Sequence, residues 1–416
     1  MSSANLVTSL YVHVPFCAQK CEYCAFYSEP SKGATIQRYV EALVRELEIV
    51  APDLRPKTIF FGGGTPSLLN LKQWERILTT MDRLGLLKEK AKRLTLKAEV
   101  DYEFSIECNP ATVSQDKAKL WRDYGVNRVS MGVQSLDAGL LERLGRVHSR
   151  DMVFKSFDLL RRAGFDNVNV DLMFGIPGQT LKVWRETLRE ALALGSEHLS
   201  SYEIIYEEDT PLFAQLQAGR FAVDEELACA MFDELLERTA AAGLEQYEIA
   251  NFARRSVAVA QASSPAGSQG VLAPQSGNIN IPDRACRHNV NYWRGGYFYG
   301  LGPSAAGYVR GLRTRNWSNT DLYCERLEQG KRAIESSEDL PPVRRAGEVA
   351  AFGLRMNSGW RWEDFQHATG FDLRNEWASE MQELAAREWG RLHYNGFQLT
   401  PVGLRFADSA GALFLK

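Results

Sequence analysis

From residue 9 to about residue 250 the chain repeats one alternation of hydrophobic and polar positions. A short run of β-branched and aromatic residues leads into a polar or glycine-rich turn, and then into a segment whose apolar positions recur at helical spacing. The runs are SLYVHVPF, KTIFFGGG, DYEFSIEC, RVSMGVQS, NVNVDLMF and HLSSYEII. Between the first two, TIQRYVEALVRELEIV places Ile36, Tyr39, Val40, Leu43, Val44 and Leu47 on one helical face. Six such units predict a parallel sheet with right-handed crossover helices, because parallel strands cannot be joined by tight turns. The expected fold class is α/β, a partial (β/α)6 barrel two units short of the closed eight-stranded form.

The pattern changes at Arg254. Residues 254–283 are rich in Ser, Gly, Pro, Ala and Gln with few aromatics, which predicts a flexible insertion. The expected organisation is a core over residues 1–253, this insertion, an aromatic connector over 284–341 and a smaller C-terminal helical module over 342–416. The end of that module, WGRLHYNGFQLTPVGLRFADS, reads as a short hairpin followed by a helix, in the manner of a winged-helix unit. Its acidic neighbours Glu376, Glu380, Glu383 and Glu388 point to a packing or partner surface and away from DNA.

Composition narrows the function classes. With 416 residues, 45% apolar and 24% charged, and a formal net charge of -3, the chain has the balance of an ordinary globular protein and no electrostatic case for nucleic acid. The first residues lack a basic segment followed by a long apolar one, and no run of about 18 apolar residues occurs. A cytoplasmic location is therefore expected.

Seven cysteines is an odd number, and three of them, Cys17, Cys21 and Cys24, fall within YVHVPFCAQKCEYCAFYSEP. In a reducing compartment clustered thiols are metal ligands or reactive groups more often than crosslinks. Cys108, Cys229 and Cys324 are scattered and read as small buried hydrophobes. Thiolate softness suits iron–sulfur clusters, zinc and copper alike. A loop with cysteines three and two residues apart, directly after a strand, suits three corners of one cubane and leaves a fourth iron open. A zinc-stabilised binding module, with the fourth ligand supplied from elsewhere, is the non-redox alternative.

The other predicted strand ends carry matching chemistry. Glycines in FFGGGTPS let backbone approach a ligand closely. Glu107, Gln134 and Asp171 stand where α/β barrels bind ligands, and Arg146 follows in LGRVH. Carboxylates and an amide suit hydroxyls and an ammonium, and a guanidinium suits a carboxylate.

The CxxxCxxC loop, the aromatic positions after it and GGGTP resemble the radical S-adenosylmethionine (SAM) superfamily. There the amino and carboxylate groups of SAM chelate the fourth iron of a [4Fe-4S] cluster. YVHVPFCAQKCEYCAF, GGGTPS, SIECNP, SMGVQS, LGRVHS and VDLMFGIPGQT follow one another as in its oxygen-independent coproporphyrinogen III oxidase-like branch. Phe26 replaces the further cysteine that oxidases of this kind carry, and HNVNYW, His288 to Trp293, resembles the HNxxYW motif of HemW-type haem chaperones.

That resemblance implies Cys17, Cys21 and Cys24 as cluster ligands and Tyr11, Tyr23, Gly64, Thr65, Glu107, Gln134, Arg146 and Asp171 as the SAM-contacting set. It implies His288 as a haem contact, with Tyr292 and Trp293 offering flat faces to a porphyrin; Cys286 is a second candidate for the iron. Cys108, where a small residue such as alanine is common, is expected to be an inert thiol. The implied function is delivery of haem to apoproteins of the membrane respiratory chain, with a flavodoxin or ferredoxin as electron donor and only peripheral contact with the membrane. The alternative it leaves is radical decarboxylation of coproporphyrinogen III.

Overall fold

A computed structural model describes residues 6–30, 33–88, 102–255 and 281–415. The six predicted runs are strands: β1 (Val7–Val14), β2 (Leu54–Gly63), β3 (Glu103–Cys108), β4 (Arg128–Gln134), β5 (Val168–Phe174) and β6 (His198–Glu203). They pair in parallel in chain order, each beside its sequence neighbour. This is the succession of a wound barrel, and the α/β expectation holds. Strand Tyr299–Leu301 extends the sheet, parallel to β1, with Leu10, Tyr11 and Val12 opposite Tyr299, Gly300 and Leu301. Its three residues are too few to carry a periodic signal.

The helices between strands cover one face of the sheet. In Gly33–Val50 the six residues expected on one face are all buried, each aliphatic contributing about 1.5–3 kcal/mol relative to exposure. The following helices start at Asn70, Ser114, Ser149 and Thr180, whose side chains accept from backbone N–H groups three residues on. Trp74, Trp121 and Trp184 are fully buried, the first two in edge contact at 5.6 Å. Glu46, on the buried side of its helix, accepts from Gly302 N at 2.9 Å, Asn316 Nδ2 at 2.9 Å and Tyr323 Oη at 2.7 Å. These bonds tie the helix to the segment that follows the added strand.

The chain divides into two compact units, both discontinuous in sequence: residues 1–238 with 297–339, and 239–296 with 340–416. The linear reading joined residues 284–341 in one connector, whereas the HNVNYW helix, Arg287–Trp293, falls in the second unit and Tyr297–Asp339 in the first. The difference arises because pairing with β1 recruits the later segment to the first unit, a tertiary event with no local signature. Of the expected insertion over 254–283, residues 256–280 lie outside the described residues.

In the second unit the helix Pro342–Gly353, strand Trp360–Arg361, helices Trp362–Thr369 and Ala378–Ala386, and strands Gly390–His393 and Gly396–Leu399 follow in order. The three strands form one antiparallel sheet, the arrangement of a winged helix. Trp360, Phe365, Trp377 and Phe414 centre its core, and the buried Trp377 indole donates to Phe414 O at 3.1 Å. Among the described residues no helix is long and apolar enough to cross a membrane.

Candidate functional site

The carboxyl ends of β2 to β6 and the cysteine loop surround one cavity of about 510 Å³ in the first unit. Cys17, Cys21, Cys24, Tyr23, Gly64, Thr65, Glu107, Gln134, Arg146 and Asp171 all line it. Strand ends, a turn and a loop drawn from 155 residues of sequence thus meet at one place, because the parallel order brings every strand terminus to the same edge.

The cysteine loop is held at both limbs. Phe16–Cys17 pairs in parallel with Glu29–Pro30. Glu22 N donates to Leu144 O at 3.1 Å, and Leu212 N to Glu22 O at 2.9 Å. Tyr23 packs against the apolar cluster of Leu140, Leu144, Met173, Ile176, Ile204 and Leu212, and burial holds its phenol above the ordinary range. The three thiols are free. Arg146 Nη1 donates to Cys21 Sγ at 3.4 Å, Nη2 donates to Gly132 O at 2.5 Å, and Thr65 Oγ1 donates to Cys17 Sγ at 3.6 Å.

The GGGTP turn is shaped by close approach. Gly64 N donates to Val14 O and Thr65 N to Phe16 O, both at 2.8 Å. A Cβ on Gly64 would lie 2.8 Å from both of those carbonyl oxygens, so a side chain would push the turn off the cysteine loop. Gly63 has φ +103°, and a Cβ there would meet the His13 ring at 2.5 Å.

The carboxylates sit deep in the cavity. Glu107 accepts from Gly63 N at 3.2 Å, and burial, helped by the charge of Asp171, pushes its pKa up to about 8. Asp171 accepts from Asn169 Nδ2 at 2.6 Å and from Ser130 Oγ at 3.2 Å; burial raises it, while the Arg128 guanidinium pulls the other way. Gln134 adopts φ +65° where the β4–β5 register shifts. A non-glycine residue in that region costs about 1–3 kcal/mol and is concentrated at binding sites. Cys108 also borders the cavity, and burial drives its thiol well above the usual range, as expected of an inert group.

Two expected site residues do not line this cavity. Tyr11 points its hydroxyl at His13 Nδ1, 3.1 Å away, and stacks on Phe60. His288 belongs to the second unit, buried, with Nε2 2.7 Å from Tyr292 Oη. Cys286, also buried, starts the same helix, and its N–H donates to Tyr247 Oη at 3.1 Å.

Sequence reasoning missed His13. Its Nε2–H donates to Tyr27 O at 2.8 Å, which leaves Nδ1 to accept from Tyr11; burial lowers its basicity and keeps the ring neutral. The period-2 alternation of SLYVHV would have placed Ser9, Tyr11 and His13 together on the inner face. Ser130, Asn109 and Tyr202 also line the cavity unpredicted; their types are too common at strand ends to stand out.

A sequence profile of the radical SAM superfamily matches residues 11–191. The haem chaperone HemW of Bacillus subtilis is 33% identical over 92% of this chain and 92% of its own length. That of Escherichia coli is 30% identical over 98% of both. Among solved structures, coproporphyrinogen III oxidase from E. coli, described as a radical SAM enzyme, superposes with a TM-score of 0.78 over 99% of this chain and 91% of its own at 21% identity, which establishes the shared fold. With its strand order, cysteine loop and near full-length identity to both bacterial relatives, this chain belongs to the HemW family of the radical SAM superfamily.

Proposed function

We propose that this protein binds haem and hands it to apoproteins, using a [4Fe-4S] cluster and SAM held in the cavity of the first unit. The superfamily implies both cofactors, and the residues present suit them. Three free thiols on one loop open to a cavity large enough for a nucleoside, and the guanidinium of Arg146 offers N–H groups to sulfur. Cys17, Cys21 and Cys24 would hold the cluster. Gly64, Thr65, Glu107, Gln134, Arg146 and Asp171 would bind SAM; Tyr11 would act from behind, through His13. Together these cofactors supply one-electron chemistry when bound.

The observation that carries the haem reading is full-length similarity to relatives named haem chaperones, joined to the HNVNYW helix in the second unit. His288 is proposed as the haem contact, and an imidazole is a standard axial ligand. The acceptors are proposed to be apoproteins of the respiratory membrane, approached from the cytoplasm as a peripheral protein, with a flavodoxin or ferredoxin reducing the cluster. The deciding experiment reconstitutes the cluster anaerobically and titrates haem into wild type and His288→Ala, following the Soret band. A tight complex lost in the variant supports chaperone and ligand together. No Soret change in wild type overturns the haem reading, and formation of protoporphyrinogen IX in an anaerobic assay would establish the oxidase instead.

A further inference from the structure

We infer that Asn169 and His198, which do not line the cavity, are positioning residues that aim the Asp171 carboxylate at bound SAM. The inference rests on the proposal that Asp171 is a SAM contact.

The register places these groups in one layer. Ser130 on β4, Asn169 on β5 and His198 on β6 are Cα partners across three adjacent strands, and Asp171 lies two residues above Asn169, so both face the barrel interior. Asn169 Nδ2 donates to Asp171 Oδ1 at 2.6 Å and to Ser130 Oγ at 2.7 Å. Its Oδ1 accepts from His198 Nδ1 at 2.6 Å and from Ser200 Oγ at 3.2 Å. Asn169 and His198 are 1% and 0% exposed, so water cannot replace these partners.

The directions of these bonds follow from the chemistry of the carboxylate. Asp171 can only accept when ionised, so the amide must present nitrogen to it and oxygen to the histidine. His198 must then carry its proton on Nδ1, and burial together with the Arg128 charge keeps the ring neutral. A neutral imidazole thus sets the flip of the Asn169 amide, and the amide sets the carboxylate. A leucine of similar size at either position would fill the space and lose this direction.

The test measures SAM binding by calorimetry on the full chain with its cluster reconstituted, together with iron content, thermal stability and haem titration. Asn169→Leu and His198→Leu should each weaken SAM about tenfold, the lower end for losing a hydrogen bond to a charged group, with iron content unchanged. His198→Asn, whose amide nitrogen sits where Nδ1 sat, should recover most of that loss. Asn169→Asp keeps the shape and replaces the donor with a second carboxylate. Its SAM affinity should improve as pH falls, since one proton shared between two acids restores the bond; Glu107 and Cys108 on β3, Arg128 on β4 and His198 on β6 are the ionisable groups around that pair. SAM affinity in Asn169→Leu within twofold of wild type would overturn the inference, as would His198→Asn binding no better than His198→Leu. Should Asp171→Asn bind SAM like wild type, the reading of Asp171 as a contact falls, and the inference with it.

Discussion

Arg146 reaches Cys21 across 125 residues of sequence, its Nη1 donating to the sulfur at 3.4 Å while Nη2 is fixed on the Gly132 carbonyl. One guanidinium therefore joins the cysteine loop to the end of β4. Arg146→Met should weaken SAM binding about tenfold or more, as expected for removing hydrogen bonds to charged groups. Iron content should fall less than SAM affinity, because the three thiols remain. Iron and sulfide analysis beside SAM calorimetry checks the split.

Replacing Cys17, Cys21 or Cys24 by Ala should abolish the visible absorption of the reconstituted protein. The far-ultraviolet circular dichroism should be unchanged, since all three cysteines are only half-buried and belong to a loop pinned by backbone bonds on either side. A variant that retains full absorption would remove that cysteine from the ligand set.

Glu107 contributes to the pH dependence of stability. Its pKa is raised from 4.5 to about 8, so between those values the folded chain holds a proton that the unfolded chain has released. Stability of the cofactor-free protein contributed by this group is therefore present at low pH and lost as pH rises through the window. Thermal melts should fall across it in wild type and fall less steeply in Glu107→Gln, where the raised carboxyls of Asp171, Glu46 and Glu248 still contribute. A wild-type profile that rises over the same range would contradict the assignment.

Gln134 sits at φ +65°. Gln134→Gly should stabilise the cofactor-free protein by about 1 kcal/mol through relief of backbone strain, yet weaken SAM binding by removing the amide. Gln134→Val should lose both. Denaturant unfolding and SAM titration on the same two variants separate strain from contact.

His288 Nε2 is engaged by Tyr292 Oη at 2.7 Å, so an iron bound at Nε2 would have to displace that hydroxyl. Tyr292→Phe should then bind haem at least as tightly as wild type, while His288→Ala loses the Soret complex. Equal loss in both variants would show that the pair binds haem through the tyrosine or by packing alone.

All six core strands, their parallel sense, the helix Gly33–Val50 and the three cysteine positions were legible in the chain alone. Each depends on local periodicity or on spacing within one loop, and those survive whatever the rest of the chain does. The strand residues Glu107, Gln134 and Asp171 were legible for a related reason: once strands are parallel and consecutive, their carboxyl ends must share an edge. Tertiary structure decided the rest. That Tyr299–Leu301 joins β1, that Glu46 gathers three donors and that Asn169 lies between Asp171 and His198 all depend on register between distant segments. A hydrogen bond fixes both partners within about 3 Å, whereas sequence pattern constrains only which face a residue takes, so the partner across the sheet is chosen when the strands pair.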